Sequence, residues 1–299
     1  MAKRSVEKLL DNVFKNNFYA TSEYADFLSR VLSLLSRKEK ISEKTVHLIK
    51  KKSIAIDSYN ISIKRALRKR KISYMSVLPQ INDLNTHPSY VEYPIIFKGD
   101  YLQCYDKFHR TFKKKIRRAE KFKFKIEIVT GFNQKIVDDV YSLYKKCARR
   151  LGSIILPQLF FEEYLKTKNS LLFLIIDKEK IRGFSFCFEN ADNLYFSVGY
   201  TDKSYWNKYI SYKLYNERIK YACERGLNIH LGMGEHGSGY CQIKKEAGAI
   251  FFKCERYPHD EGVLKILLFF SKLKIFWPWI WLISKIMPRK MIYQMIPFT

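Results

Sequence analysis

The residues with the most chemical potential in this 299-residue chain lie in two short stretches. The first runs Leu231-Gly-Met-Gly-Glu-His-Gly-Ser-Gly-Tyr-Cys-Gln-Ile-Lys-Lys245. Glu235 and His236 can each take a proton from an attacking amine, so they are the general-base candidates. Gly237, Ser238, Gly239 and Tyr240 continue as a flexible loop whose backbone amides can approach a ligand closely, with Lys244 and Lys245 behind it. A literal GxGxxG is present at Gly232, Gly234 and Gly237. No βαβ unit is expected after it, and Gly239-Tyr240 is expected to break the helix a pyrophosphate needs, so dinucleotide binding is not the favoured reading.

The second stretch, Lys107–Lys125, carries ten lysines and arginines against the single acid Glu120. On a helix, Arg110, Lys113, Lys114, Arg117, Arg118 and Lys121 share one side and form a stripe sized for phosphates. Without compensation such a run repels itself, which favours anion binding over a merely solvated face. Ser-His-Asp order, HExxH and Walker patterns are absent from the sequence, which excludes the common hydrolase and NTPase readings.

The composition fits this chemistry. Hydrophobic residues at 47% and charged residues at 28% are ordinary for a folded protein, whereas 16% aromatics and a net charge of +26 are not. Residues 1–150 hold 34 basic and 15 acidic side chains, so the anion-facing surface belongs mainly to the first half. Six scattered cysteines form no CxxC, and Cys241, Cys254 and His259 have no zinc-ligand spacing. The expectation is free thiols in a reducing, cytoplasmic compartment, with no metal and no redox cofactor.

The elements that must position these residues follow from periodicity. Apolar positions at helical spacing predict amphipathic helices within residues 5–50, and Ile61–Lys71 reads as a basic helix. A short strand over Ile72–Val77 should stop at Pro79, with turn formers over 80–90. Tyr90–Phe97 is β-rich, and Leu102–Phe122 reads as one long helix. Strands are expected at Phe124–Val129, Leu171–Asp177, Gly183–Glu189, Leu194–Gly199 and Leu227–Leu231. Helices are expected over about Lys135–Leu151, Pro157–Leu165 and Ser204–Arg225. The layout is mixed α/β.

Five segments in order carry a family resemblance: Phe112–Ile126, Arg150–Phe161, Ile181–Phe186, Leu214–Ala222 and Gly237–Ala249. Together they resemble FemAB-like proteins of the GNAT-fold superfamily, which include the transferases that build peptidoglycan interpeptide bridges. The resemblance covers about Ile61–Tyr257. It implies a GNAT-type mixed, splayed sheet flanked by helices, and places Lys244 beside the transferred carbonyl or the donor's phosphates. Ile243 and Ala247 replace the family's phenylalanine and tryptophan, implying a wider or less aromatic pocket. Residues 204–211 stand at the pyrophosphate loop of acetyl-CoA enzymes but contain no glycine.

Residues 263–299 hold Trp277, Trp279 and Trp281 among lysines, interrupted by Pro278. That pattern fits an interfacial anchor better than a spanning helix. The expected organisation is a helical, basic lobe over 1–88 (a truncated first GNAT-like half), a GNAT-like transferase domain over 89–258 and a membrane-contacting tail over 259–299. The expected activity is transfer of an acyl or aminoacyl group to an amine of a cell-envelope precursor or lipid, at the inner face of the membrane. The donor is aminoacyl-tRNA or an acyl thioester such as acyl-CoA or an acyl carrier, bound in part by Lys114, Arg117 and Arg118. Other expected partners are the amine acceptor and an anionic membrane surface, and not DNA. The alternative is a non-catalytic polyanion-binding or membrane-scaffolding protein that keeps the fold.

Overall fold

The computed structural model of the chain describes residues 21–32, 36–41, 44–49, 52–53, 69, 74–81, 91–151, 153, 155–232, 234–235 and 239–257. The first described helix, α1 (Ser22–Leu32), buries Tyr24, Phe27, Leu28 and Val31 on one face. The helical pattern expected up to residue 50 ends there. Strands β1 (Ser36–Ile41), β2 (Lys44–Ile49) and β3 (Lys52–Ser53) follow as a small antiparallel sheet. In β2, Val46 and Leu48 alternate with Thr45 and His47, a period of two that overrides the weaker helical spacing. The basic helix expected over Ile61–Lys71 and the tail over 258–299 lie outside the described residues, apart from Lys69.

Next come β4 (Tyr74–Ile81), β5 (Val91–Ile96), α2 (Tyr101–Lys107), α3 (Arg110–Glu120) and β6 (Lys125–Val129). The strand expected to stop at Pro79 runs through it. Because β4 lies at the sheet edge, the missing N–H of proline costs no central ladder bond. Its pairing with β12 (Ile250–Tyr257) also shifts register between Phe252 and Cys254, opposite this segment. The helix expected over Leu102–Phe122 is two helices. Phe108 leaves helical geometry at φ −64° and ψ 135°, drops its ring onto Phe112 and hands the next start to His109. The His109 ring caps the Thr111 N–H, and the backbone N–H of His109 donates to the Glu246 carbonyl at 2.8 Å.

The centre of the chain supplies α4 (Gln134–Arg150), α5 (Gln158–Lys166), β7 (Ser170–Asp177), β8 (Lys180–Asn190) and β9 (Asn193–Thr201). A 3-10 turn, Lys203–Lys208, precedes α6 (Ile210–Glu224), where one helix is expected. The break falls at Tyr209, in the left-handed region at φ 57°, while Asp202 caps the turn through Ser204. The chain then forms β10 (Asn228–His230), β11 (Gly234–Glu235), α7 (Gly239–Glu246) and β12. Gly239 and Tyr240 open α7 instead of breaking a helix.

The main sheet has the order β4-β12-β5-β10-β9-β8-β7-β6, with β11 paired to β5. Its pairs are antiparallel except β9 and β10, which run parallel. The boundary expected at 88/89 falls between β4 and β5, two strands that flank β12, so the sheet draws on both sides of it.

Helices cover both faces of this sheet, which is why β7 is an unbroken apolar run instead of an alternating one. Leu172, Leu174, Phe184, Phe186 and Phe188 pack with α1, α4 and α5. Leu171, Phe173, Ile175, Leu194 and Phe196 pack with α2, α3, α6 and α7. Among the described residues, no helix is long and apolar enough to cross a membrane.

Candidate functional site

The two parallel strands stay together for three residues and then part. Asn193, Leu194 and Tyr195 pair with Asn228, Ile229 and His230, after which β10 ends and β9 continues to Thr201. The apex is pinned by a hydrogen-bond chain across β5, β10 and β9. Tyr93 Oη lies 2.9 Å from His230 Nδ1, and His230 Nε2 lies 3.1 Å from Asn193 Oδ1. Asn193 Oδ1 also accepts from Asn228 Nδ2, so the network makes Nε2–H the donor and Nδ1 the acceptor. Burial pushes the His230 imidazole down to about 3, so it is a neutral strut with both nitrogens engaged.

Beyond the apex β9 carries a bulge. Ser185 pairs with Gly199 while Cys187 pairs with Phe196, which leaves one extra residue in the stretch Ser197–Val198. There β9 changes from buried to half-buried, and β10 no longer pairs with it. On the other side Gly232 makes the turn at φ +70°, and a Cβ there would stand 3.2 Å from the Phe196 carbonyl. Only glycine fits this combination without strain.

Two buried cations sit at this opening. Lys244, on α7, is fully buried, and its Nζ donates to the Gly232 carbonyl at 2.8 Å and lies 3.7 Å from the centre of the Tyr240 ring. Arg218, on α6, is 3% exposed. Its guanidinium lies between Phe196 and Tyr215, 3.8 and 4.2 Å from their ring centres. It donates through Nη1 to Ser185 Oγ at 2.6 Å and through Nε to the Leu214 carbonyl at 3.2 Å. Among the described residues Arg218 forms no ion pair with a carboxylate. Its partners are two neutral acceptors and two ring faces instead. Burial likewise pushes the neighbouring Tyr215 hydroxyl well above its usual range.

The sequence-based candidates divide. Lys244 lies at the opening and Tyr240 covers it. Gly239 and Lys245 are on α7 and exposed, and Lys245 turns away because adjacent helical residues point about 100° apart. Glu235 is placed by its backbone, paired in β11 with Val91 of β5, while His236, Gly237 and Ser238 lie outside the described residues. Ile243 and Ala247 are packed in the apolar cluster beneath α7.

On α3, Lys114 and Arg117 are exposed, and Arg118 donates to Tyr209 Oη at 2.8 Å. Lys115, between them, bonds Tyr212 Oη and lies 3.5 Å from Glu246 at the end of α7. The α3 stripe therefore reaches the start of α6 and the end of α7 through specific contacts. Arg218, Tyr215 and the β9 bulge were missed by sequence reasoning. Arg218 lies inside the Leu214–Ala222 segment that carries part of the family resemblance, but its type and spacing there do not distinguish it from a surface arginine.

No protein-family model and no curated protein sequence matches the chain. Solved structures do match. FemX superposes with a TM-score of 0.60 at 10% identity, over 89% of this chain and 98% of that one. L-PGS from Bacillus licheniformis gives 0.51 at 12% identity, over 89% and 96%. The C-terminal domain (DUF2156) of a protein assigned as a lysylphosphatidylglycerol synthetase from Agrobacterium fabrum gives 0.52 at 11% identity, over 91% and 96%. At such identities the likeness establishes the fold, which is the FemX-type mixed α/β architecture expected from the sequence.

Proposed function

We propose that the chain is a transferase that moves an acyl or aminoacyl group from an activated, phosphate-bearing donor to an amine of a cell-envelope precursor or lipid. The observation that carries this reading is the opening between β9 and β10, where a bulged backbone edge faces two buried cations. An acyl carbonyl seated there develops negative charge on oxygen when an amine attacks. Backbone N–H groups of the bulge and the positive field of Lys244 and Arg218 stabilise that oxyanion without reorganising, because packing has already fixed them.

The attacking amine must be neutral, and Glu235 or His236 is assigned the proton. The donor is aminoacyl-tRNA or an acyl thioester, and the exposed cations of α3 supply a docking surface for its phosphates. The synthetase named among the structural neighbours supports a membrane-lipid acceptor. The aromatic, lysine-rich stretch 263–299 supports residence at an anionic membrane surface, the inner face of the cell membrane in this reading.

The direct test incubates purified protein with either labelled aminoacyl-tRNA or labelled acyl-CoA. Acceptors are vesicles containing phosphatidylethanolamine or a lipid-linked peptidoglycan precursor, and products are read by mass spectrometry. Label in one acceptor, lost when Lys244 is replaced, supports the proposal. Tight anion binding with no transfer to any acceptor overturns it in favour of a non-catalytic polyanion-binding protein.

A further inference from the structure

The last turn of α6 meets α2. Cys104 Sγ and Cys223 Sγ lie 3.4 Å apart, one on each helix, and both are free thiols. Cys104 is 2% exposed, while Cys223 is half-buried and reachable from solvent. A second contact, from Tyr101 Oη to Asn216 Oδ1 at 2.8 Å, fixes the same two helices two turns earlier on α6. The thiols are therefore held face to face by packing.

We propose that Cys104 and Cys223 are a reversible thiol–disulfide site, closed by low-molecular-weight disulfides and reopened by thiols. The exchange takes two steps. Cys223 passes its proton to Cys104 and attacks one sulfur of the small disulfide RSSR, forming a Cys223–S–SR bond and expelling RS⁻, which takes that proton on from Cys104. The Cys104 thiolate then attacks the Cys223 sulfur, forming the Cys104–Cys223 bond and expelling the second RS⁻. Two protein thiols are oxidised, one RSSR is reduced to two RSH, and the two protons released by the cysteines are taken up by the leaving thiolates.

The surroundings favour the first deprotonation. The hydrogen bond from Cys223, with help from the Lys107 charge, brings the Cys104 thiol down to about 7 against its burial and Asp100. The hydrogen bond to Cys104 and burial push the Cys223 thiol up, so the Cys104 thiolate is the base that takes the Cys223 proton across the 3.4 Å contact as Cys223 attacks. Closing the bond to its usual length of about 2.05 Å asks the two helices to approach by little more than about 1 Å.

The bond would tie α2 to the helix that carries Tyr215 and Arg218. It would also close a loop of more than a hundred residues, which constrains the unfolded chain strongly. This inference does not depend on the transferase reading, since its readout is covalent.

The test exposes the folded full-length protein to oxidised glutathione, then blocks residual thiols and maps peptides without reduction. The expected result is a single cross-link joining the peptides of Cys104 and Cys223, loss of two of the six thiols, and full reversal by dithiothreitol. The expected melting temperature is higher in the oxidised form, and Cys223→Ser should abolish both the cross-link and the shift. A stable glutathione adduct on Cys223 without the internal bond, a cross-link between other cysteines, or six thiols still free would each overturn the assignment. The peptide map of the wild-type protein decides by itself, so the test holds even where the Cys223→Ser variant fails to fold.

Discussion

The guanidinium carbon of Arg218 stands 3.8 Å from the centre of the Phe196 ring, at the residue where β9 loses its neighbour β10. A cation is thus stored under an aromatic face at the root of the opening. In the proposed reaction that charge would meet the negative charge developing on the acyl oxygen. Replacing Arg218 by leucine should leave the melting temperature unchanged or raise it, since a buried charge without a carboxylate partner contributes little to stability. The same change should lower transfer by about 100-fold, the typical cost of one oxyanion-stabilising group. Thermal melts beside single-turnover assays separate the two effects, and near-wild-type turnover would sink the assignment.

Lys244→Ala removes both the bond to the Gly232 carbonyl and the charge behind Tyr240. Leaving that carbonyl without its donor should cost about 1–3 kcal/mol of stability. Activity should fall much further, by about 100-fold or more, because in the proposed reaction the charge stabilises the oxyanion. A measured loss of activity no larger than the loss of folded protein would make Lys244 a structural residue only.

His230 makes stability depend on pH. Its folded value, about 3, lies below the unfolded value near 6.5, so below pH 6.5 the unfolded chain binds a proton that the folded chain refuses. Stability is therefore complete above about pH 6.5 and is lost as the pH falls toward 3, by about 2 kcal/mol between pH 6.5 and pH 5. Denaturant unfolding of wild type and His230→Gln at pH 7.5 and pH 5 checks this. The variant should be weaker at pH 7.5 yet lose less on acidification. Equal acid losses in both proteins would remove His230 as the cause.

Lys114→Glu with Arg117→Glu reverses two exposed charges of α3 that no described carboxylate engages. Donor affinity should drop, and the slope of log affinity against log salt should flatten by about 2, one for each phosphate that is no longer neutralised. The bond between Arg118 and Tyr209 is left intact, so a change in fold is not expected. An unchanged slope would move the donor's phosphates to another surface.

Removing residues 263–299 should release the protein from anionic vesicles, while high salt releases it only in part, because buried aromatic rings outweigh the lysines at about 1 kcal/mol each. Turnover on a membrane-borne acceptor should fall more than turnover on a short soluble analogue. Co-sedimentation decides the matter: a truncated protein that pellets as well as the full chain excludes the tail as an anchor.

Local sequence determined those elements whose own pattern had no competitor. The apolar run Leu171–Ile176 and the aromatic alternation Phe184, Phe186, Phe188 made β7 and β8 legible, because a strand covered on both faces must be apolar throughout. The spacing of Val137, Val140, Tyr144 and Cys147 did the same for α4. Lys244 was read behind the glycine-rich stretch, and its Nζ bonds the Gly232 carbonyl there.

Tertiary structure decided the rest. The chain breaks at Phe108 and Tyr209 because one ring enters the core and the other residue turns left-handed under Arg118, and neither event has a local signal. The opening itself is a relation between Phe196 and Leu231, set by where β10 stops pairing. Arg218 looked like a surface residue because a helix shows its polar positions without saying what lies across from them. Only the docking of α6 over Ser185 and Phe196, from strands 33 and 22 residues earlier in the chain, turned a soluble-looking arginine into a buried one.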